Sequence, residues 1–374
     1  MLQARHLSIA FLALSVSLAG CSKDEKKKDN KASEKASAVE EAPSKDKAGA
    51  GRTMPAPKKS ADAPMPVKAP GAVSDGPDAA AGGFDMIHKD MDLVVGANFN
   101  SVRANPLYQM ARPMLMATLE KESGGQYAKY TSACGFDPFD TIASAMMGGK
   151  MKSDDDNYLF VITGIDDKRL QTCLEGIGKL ANEKVQVKKD GNITTFTAGE
   201  KDDELHVAWT GASSLIFAPD MSKDDLKARA AGTDGMSGNA VMSELLSKVN
   251  STATMWMAAT PPDEQKKDDD MPFELQGLHL SVDMNKGMAV KAGLLAKDEA
   301  EAKKGADALQ EKMKEGMKEM EGNPMAAMAG KYVEKVKVAA DGKYVNVSLD
   351  LNDTEYQELL KMGSSFAQMA AMHQ

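Results

Sequence analysis

Residues 22–83 contain no Leu, Ile, Phe, Tyr or Trp in 62 positions. A stretch without large apolar side chains cannot bury enough surface to offset the entropy of ordering its own backbone. It holds seven of the 15 Pro in the chain and sets 12 Lys/Arg against 10 Asp/Glu. These 62 residues are therefore expected to form a disordered, Lys/Ala/Pro-rich tether, and anything that folds must come after them. As a flexible coil, a leash of this length spans ~45 Å on average. Its Pro-rich second half (Pro55, Pro57, Pro64, Pro66, Pro70) should be the stiffer part.

Ahead of the tether, residues 1–21 have the pattern of a secretory signal. Arg5 and His6 form a short basic start, and Leu7 to Ala19 is an apolar run of 13 residues. A helix needs ~20 residues to cross a bilayer core of ~30 Å, so this run does not span. It ends in Leu18-Ala19-Gly20-Cys21. This tetrapeptide resembles the lipobox of bacterial lipoproteins. The resemblance implies that the Cys21 thiol carries a diacylglycerol, that the signal is cut before Cys21, and that the new amine is acylated. Two or three acyl chains hold a protein stably where one holds it marginally. Ser22 follows the cysteine where Asp favours retention at the inner membrane. The resemblance thus implies an outer-membrane lipid anchor, with the body facing the periplasm or the cell surface. The lipid bilayer is the first implied partner, through the Cys21 acyl chains.

The remaining residues, 84–374, carry 33 Lys/Arg and 45 Asp/Glu. An acidic body disfavours nucleic acid as a partner, because phosphate neutralisation supplies most of that affinity. The pattern is α+β, with antiparallel β-sheets and helices packed on one face. Asp92–Asn98 and Asn157–Ile165 are expected strands. A helical pattern over Ser101–Glu122 is interrupted at Asn105-Pro106. Asp137-Pro138 opens a helix expected to run to Met147, and Asp167 is expected to cap another. Asp190-Gly191 and Asp341-Gly342 each sit between alternating apolar runs, a strong hairpin signal. Thr252–Thr260 is a further strand, and Asp298 opens the longest helix, about 35 Å. The order strand, helix, Asp-Gly hairpin occurs twice, which suggests two duplicated halves, 84–250 and 251–374. A single large sheet without duplication is the rival reading.

Few residues point to chemistry. With Cys21 lipidated, Cys134 and Cys173 remain, in a compartment where disulfides persist. They are expected to pair. The bridge would close a loop of about 40 residues and stabilise by ~4 kcal/mol in the chain-entropy description. There is no CxxC pair. Met is abundant, at 27 residues, and soft thioether sulfur suits Cu(I). Met255-Trp256-Met257 is the candidate copper cluster, but in a strand the two Met share one face and Trp256 takes the other. Met is equally a flexible core filler in a chain with few aromatics. His88, His206, His279 and His373 lack metal-ligand spacing, and the runs Asp154–Asp156, Asp202–Glu204 and Asp268–Asp270 lack the EF-hand pattern. No nucleophile elbow, phosphate loop or dinucleotide fingerprint occurs. The sequence predicts a non-catalytic binding or envelope-accessory module without cofactor, whose further partner is an envelope protein, peptidoglycan or lipid. The alternative is a carrier of apolar ligands such as lipid, which requires a continuous apolar cavity between sheet and helices.

Overall fold

Every strand of the described chain joins one antiparallel sheet of twelve strands. The structure is a computed structural model that describes residues 83–151, 158–199, 203–219, 221–262, 272–320 and 330–361. All lie within the unit Asp75–Gln374. The expected signal and tether lie outside the described residues, except that Gly83 starts a short 3-10 turn, Gly83–Met86.

The elements in chain order are β1 (Leu93–Asn98), α1 (Phe99–Ala104), α2 (Pro106–Glu122), α3 (Tyr127–Cys134), α4 (Pro138–Thr141), β2 (Ser144–Gly149) and β3 (Leu159–Thr163). Next come α5 (Asp167–Leu180), β4 (Val185–Asp190), β5 (Ile193–Ala198), β6 (Asp203–Gly211), β7 (Ser214–Phe217), α6 (Lys223–Ala230) and α7 (Ala240–Lys248). Then follow β8 (Met255–Ala259), β9 (Leu275–Asp283), β10 (Met288–Ala296), α8 (Glu299–Met320), β11 (Lys337–Asp341) and β12 (Tyr344–Leu351). The sheet order is β11-β12-β10-β9-β8-β1-β2-β3-β7-β6-β5-β4.

That order contains a repeat. Outward from the centre run β1-β2-β3 on one side and β8-β9-β10 on the other. On each side a helix, α5 or α8, then crosses the sheet. The chain returns at the outer edge and works inward until its last strand, β7 or β12, lies beside the third. The first strands of the two arms pair antiparallel at the centre, Val95 opposite Met257 and Gly96 opposite Trp256. The α+β class holds, and the two halves share a single sheet.

Side chains alternate between faces, so pairing register carries a face across the sheet. One face runs through Val94, Met146, Val161, Ile216, Trp256 and Ala258. It packs under Ile87, Leu226 of α6 and Met242, Leu245 and Leu246 of α7. Gly96 lets the Trp256 ring lie flat on the strand, since a Cβ there would sit 2.2 Å from Cε2. The other face runs from Leu280 through Met257, Val95, Met147, Phe160 and Phe217 to Val207. On it the Phe160 and Phe217 rings stack at 5.0 Å. The two crossing helices both lie on this face, at opposite ends. A Cβ on Gly178 of α5 would touch Val185, and one on Gly305 of α8 would touch Val345. The α8 stripe Ala302, Ala306, Leu309 and Met313 packs there with Val338 and Val347. The expectation of helices on one face is corrected: they occupy both, with the two crossovers on one and the shorter α6 and α7 on the other, because each face of the shared sheet is apolar and needs cover.

Local chemistry sets most ends. Asp166, one residue before the expected cap, accepts from Arg169 N at 2.8 Å and starts α5. Ser222 and Asn239 cap α6 and α7. Gly191 and Gly342 take the positive φ their hairpins need, +61° and +55°. A second expectation is corrected as well. The helix opened by Asp137-Pro138 ends at Thr141, and Ser144–Gly149 is strand β2. The cause is tertiary. β2 fills the slot between β1 and β3, and Gly148 there admits Ile87, whose Cγ2 a Cβ would meet at 2.5 Å.

Candidate functional surface

Between β1 and β2 the chain builds a helical insertion, α1 to α4, whose polar ties are mostly inward. Asn98 ends β1 and caps α1 by accepting from Ser101 N at 3.1 Å. Ser101 Oγ lies 2.6 Å from Thr254 Oγ1 and donates to Asn285 Oδ1 at 2.7 Å. Asn105 Nδ2 donates to Met284 O at 2.7 Å. These bonds fasten the start of the insertion to the second half of the sheet. Arg103 Nη1 donates to Phe139 O at 2.6 Å and Ile142 O at 2.8 Å, tying α1 to α4. Burial lowers the Arg103 pKa, the partial cost of taking a guanidinium off the surface.

The far end is held by a covalent bond. Cys134, the last residue of α3, is joined to Cys173 of α5 by a disulfide. The expected pair is therefore present, and α3 lies close on α5: a Cβ on Gly176 would fall 2.1 Å from Ala133 O. Beside this contact is an open cleft of about 540 Å³, lined by Ala128, Lys129, Thr172, Glu175, Lys179 and Leu180 among others. It lies between two helices and carries charged side chains, so it differs from the apolar space between sheet and helices that a lipid carrier requires.

Helix α2 stands between these two fixed ends. Pro106 opens it, where a missing N–H costs nothing, and the helix runs on through Pro113. Arg112 reaches inward, 2.7 Å to Asp140 Oδ2 and 3.3 Å to Asp137 Oδ2. Tyr127 OH donates to Asp137 Oδ1 at 2.6 Å, while Asp137 also caps α4 through Phe139 N. Burial, then the bond to Asp137, raises the Tyr127 pKa well above the ordinary phenol value. Arg112, Tyr108, Leu115, Met116 and Leu119 are half-buried. The opposite side is bare: Met110 is 71% and Met114 75% exposed, with Ala117 and Lys121 exposed along the same stripe. No described side chain of this 17-residue helix is buried.

Two large apolar side chains side by side in solvent on one helix face are the group a partner would cover. From Pro106 to Leu119 the one charged residue is Arg112. The sequence hid this surface because an exposed methionine stripe and a core stripe share the same period. The near-absence of charge over 14 residues was the available signal.

The other sequence candidates are dispersed. Met255 and Met257 lie half-buried on the face of the crossing helices. Trp256 lies on the opposite face, 5% exposed, its ring meeting Phe84 edge-on at 5.5 Å. The Met-Trp-Met triplet does not converge. His206 Nδ1 lies 3.0 Å from Thr195 Oγ1. His279 is buried, and its Nδ1 has no hydrogen-bond partner among the described residues. Cys21, His373, Asp154–Asp156, Asp202 and Asp268–Asp270 lie outside the described residues. Among the described residues no three His, Cys, Asp or Glu side chains gather as a metal site, and no helix is long and apolar enough to cross a membrane.

No protein-family model matches the chain, and no curated protein matches it. Among solved structures it is similar to crystal form I of TP0453, at a TM-score of 0.38 and 9% identity, over 75% of this chain and 96% of that one. Crystal form III of TP0453 gives 0.37 and 8%, over 75% and 97%.

Proposed function

We propose that this chain is a bacterial lipoprotein of the outer membrane whose folded body is a non-catalytic binding module, held off the bilayer by residues 22–83. The body faces the periplasm or the cell surface, and its partner is an envelope component engaged through an apolar surface. The observation that carries the binding role is helix α2, with Met110 and Met114 largely in solvent and its Arg112 paired inward with Asp137 and Asp140. Large exposed apolar side chains on a helix that is otherwise well tied down mark a contact surface rather than a core. The lipobox residues Leu18 to Cys21 support the anchor.

Cys21→Ser tests the anchor. The wild-type chain is expected in the detergent phase on Triton X-114 partitioning and shortened at its N-terminus by mass. The variant is expected full-length in the aqueous phase. Equal partitioning of the two chains overturns the lipoprotein reading.

A further inference from the structure

We infer that the exposed stripe of α2, Met110, Met114 and Ala117, docks flat on the surface of the lipid bilayer to which the chain is tethered. The inference rests on the lipoprotein reading and names the partner of that contact surface.

Four observations select the bilayer over other occupants. The stripe is small for a stable protein interface. The apolar part of α2 spans about 14 residues, roughly 21 Å at 1.5 Å per residue. One helix face of that length falls well short of the roughly 800 Å² per partner of a stable protein interface. The stripe also lacks the anchors of a specific interface: Met110, Met114 and Ala117 include no Trp, Tyr or Arg. Thioether side chains are unbranched and conform to a disordered surface. Moreover, docking buries no charge. Arg112, the one ion between Pro106 and Leu119, is already paired with Asp137 and Asp140 on the inward side. Lys121, at the end of the stripe, is exposed and leaves a cation free to meet lipid phosphate. Finally, the length of chain outside the structure sets the encounter. Cys21 lies 62 residues before Gly83, and a flexible coil of that length, as the composition of residues 22–83 leads one to expect, would have an average span of ~45 Å. Two methionines hold a free protein to lipid only weakly, but tethering makes the contact intramolecular and lifts its effective concentration.

The test places a fluorophore on the stripe of the full chain, inserted by its own anchor into phosphatidylcholine vesicles. Met114→Trp is compared with Lys227→Trp, an exposed position on α6, each read against the unsubstituted chain. With dibrominated phosphatidylcholine, the Trp at 114 should shift to the blue and lose about half its emission, while the Trp at 227 stays unquenched. Adding Met110→Glu to the Met114→Trp chain should abolish the quenching and leave the far-UV circular dichroism unchanged. A chain that fails to float with the vesicles defeats the lipoprotein reading and this inference with it. A chain that floats, with position 114 no more quenched than 227, overturns the inference alone. So does a blue shift without bromine quenching that accompanies self-association, which would assign the stripe to a second copy.

Discussion

His279→Phe should stabilise the protein, and increasingly so as the solution is acidified. His279 lies on β9, 8% exposed, its ring across Gly293, where a Cβ would fall 2.1 Å from Nε2. Its Nδ1 is buried without a hydrogen-bond partner among the described residues. It meets the Tyr344 ring edge-on at 5.7 Å, and the Tyr344 hydroxyl is committed to Glu244 at 2.9 Å. Desolvation first, and then the Lys248 ammonium of α7, lower the His279 pKa below the ordinary 6.5. Above pH 6.5 the imidazole is neutral in both folded and unfolded chains, so its titration contributes nothing. Below 6.5 the unfolded chain takes up a proton that the folded chain resists, so stability falls as pH falls towards the folded pKa. One proton sets a ceiling of about 1.4 kcal/mol per pH unit, hence about 2 kcal/mol between pH 6.5 and 5. Phe keeps the edge-on ring contact and removes the unpaired nitrogen, whose burial costs about 1–3 kcal/mol. The expected result from urea unfolding is a variant more stable by about 1 kcal/mol at pH 8. Its advantage should widen between pH 6.5 and 5. The other histidines are common to both chains and cancel in the difference. Parallel stability curves from pH 8 to 5, or a variant less stable throughout, would refute the reasoning.

Two further substitutions probe the scaffold. Cys134→Ala with Cys173→Ala opens a link across 39 residues and should cost about 4 kcal/mol of unfolding free energy in a urea titration, with a steeper slope as the unfolded chain expands; a loss under about 1 kcal/mol would show that the α3–α5 packing holds without the bond. Gly96→Ala places a methyl into the Trp256 ring and should cost about 1–3 kcal/mol with a red shift of tryptophan emission as that ring is displaced; an unshifted spectrum at full stability would contradict the close approach.

The legible parts of this fold are those decided locally. Asp190-Gly191 and Asp341-Gly342 specify their hairpins by turn chemistry alone, and Asn239 and Ser222 cap helices by donor arithmetic. What decided β2 was not local. Ser-Ala-Met-Met-Gly-Gly is a weak strand by propensity, and it is extended because β1 and β3 both need a partner there. Whether the halves form one sheet or two turns on the pairing of β1 with β8, whose residues are some 160 apart in sequence. No periodicity within either strand reports on that. The α2 surface failed for a related reason. Periodicity tells that Met110 and Met114 share a face; whether that face is covered depends on where the insertion lands.

The two-fold repeat gives this last point its weight. Each arm of the sheet closes with the same device, three strands, a crossing helix and an inward return, and Ile87, α6 and α7 complete the main core with no described residue of the insertion in it. The arms differ where their first two strands connect. The second arm joins β8 to β9 through residues 260–274, whereas the first interposes residues 99–143 with four helices. A connection three times longer than its counterpart is not required by the sheet. It is nevertheless fixed at both ends, by Ser101, Arg103 and Asn105 near β1 and by the Cys134–Cys173 bond to α5. Fixing an insertion this firmly while leaving Met110 and Met114 in solvent holds the methionine stripe in a set orientation on a rigid body. Loops that a scaffold does not need but does hold rigid are where binding residues concentrate. The break in the repeat and the exposed stripe therefore point independently to the same helix.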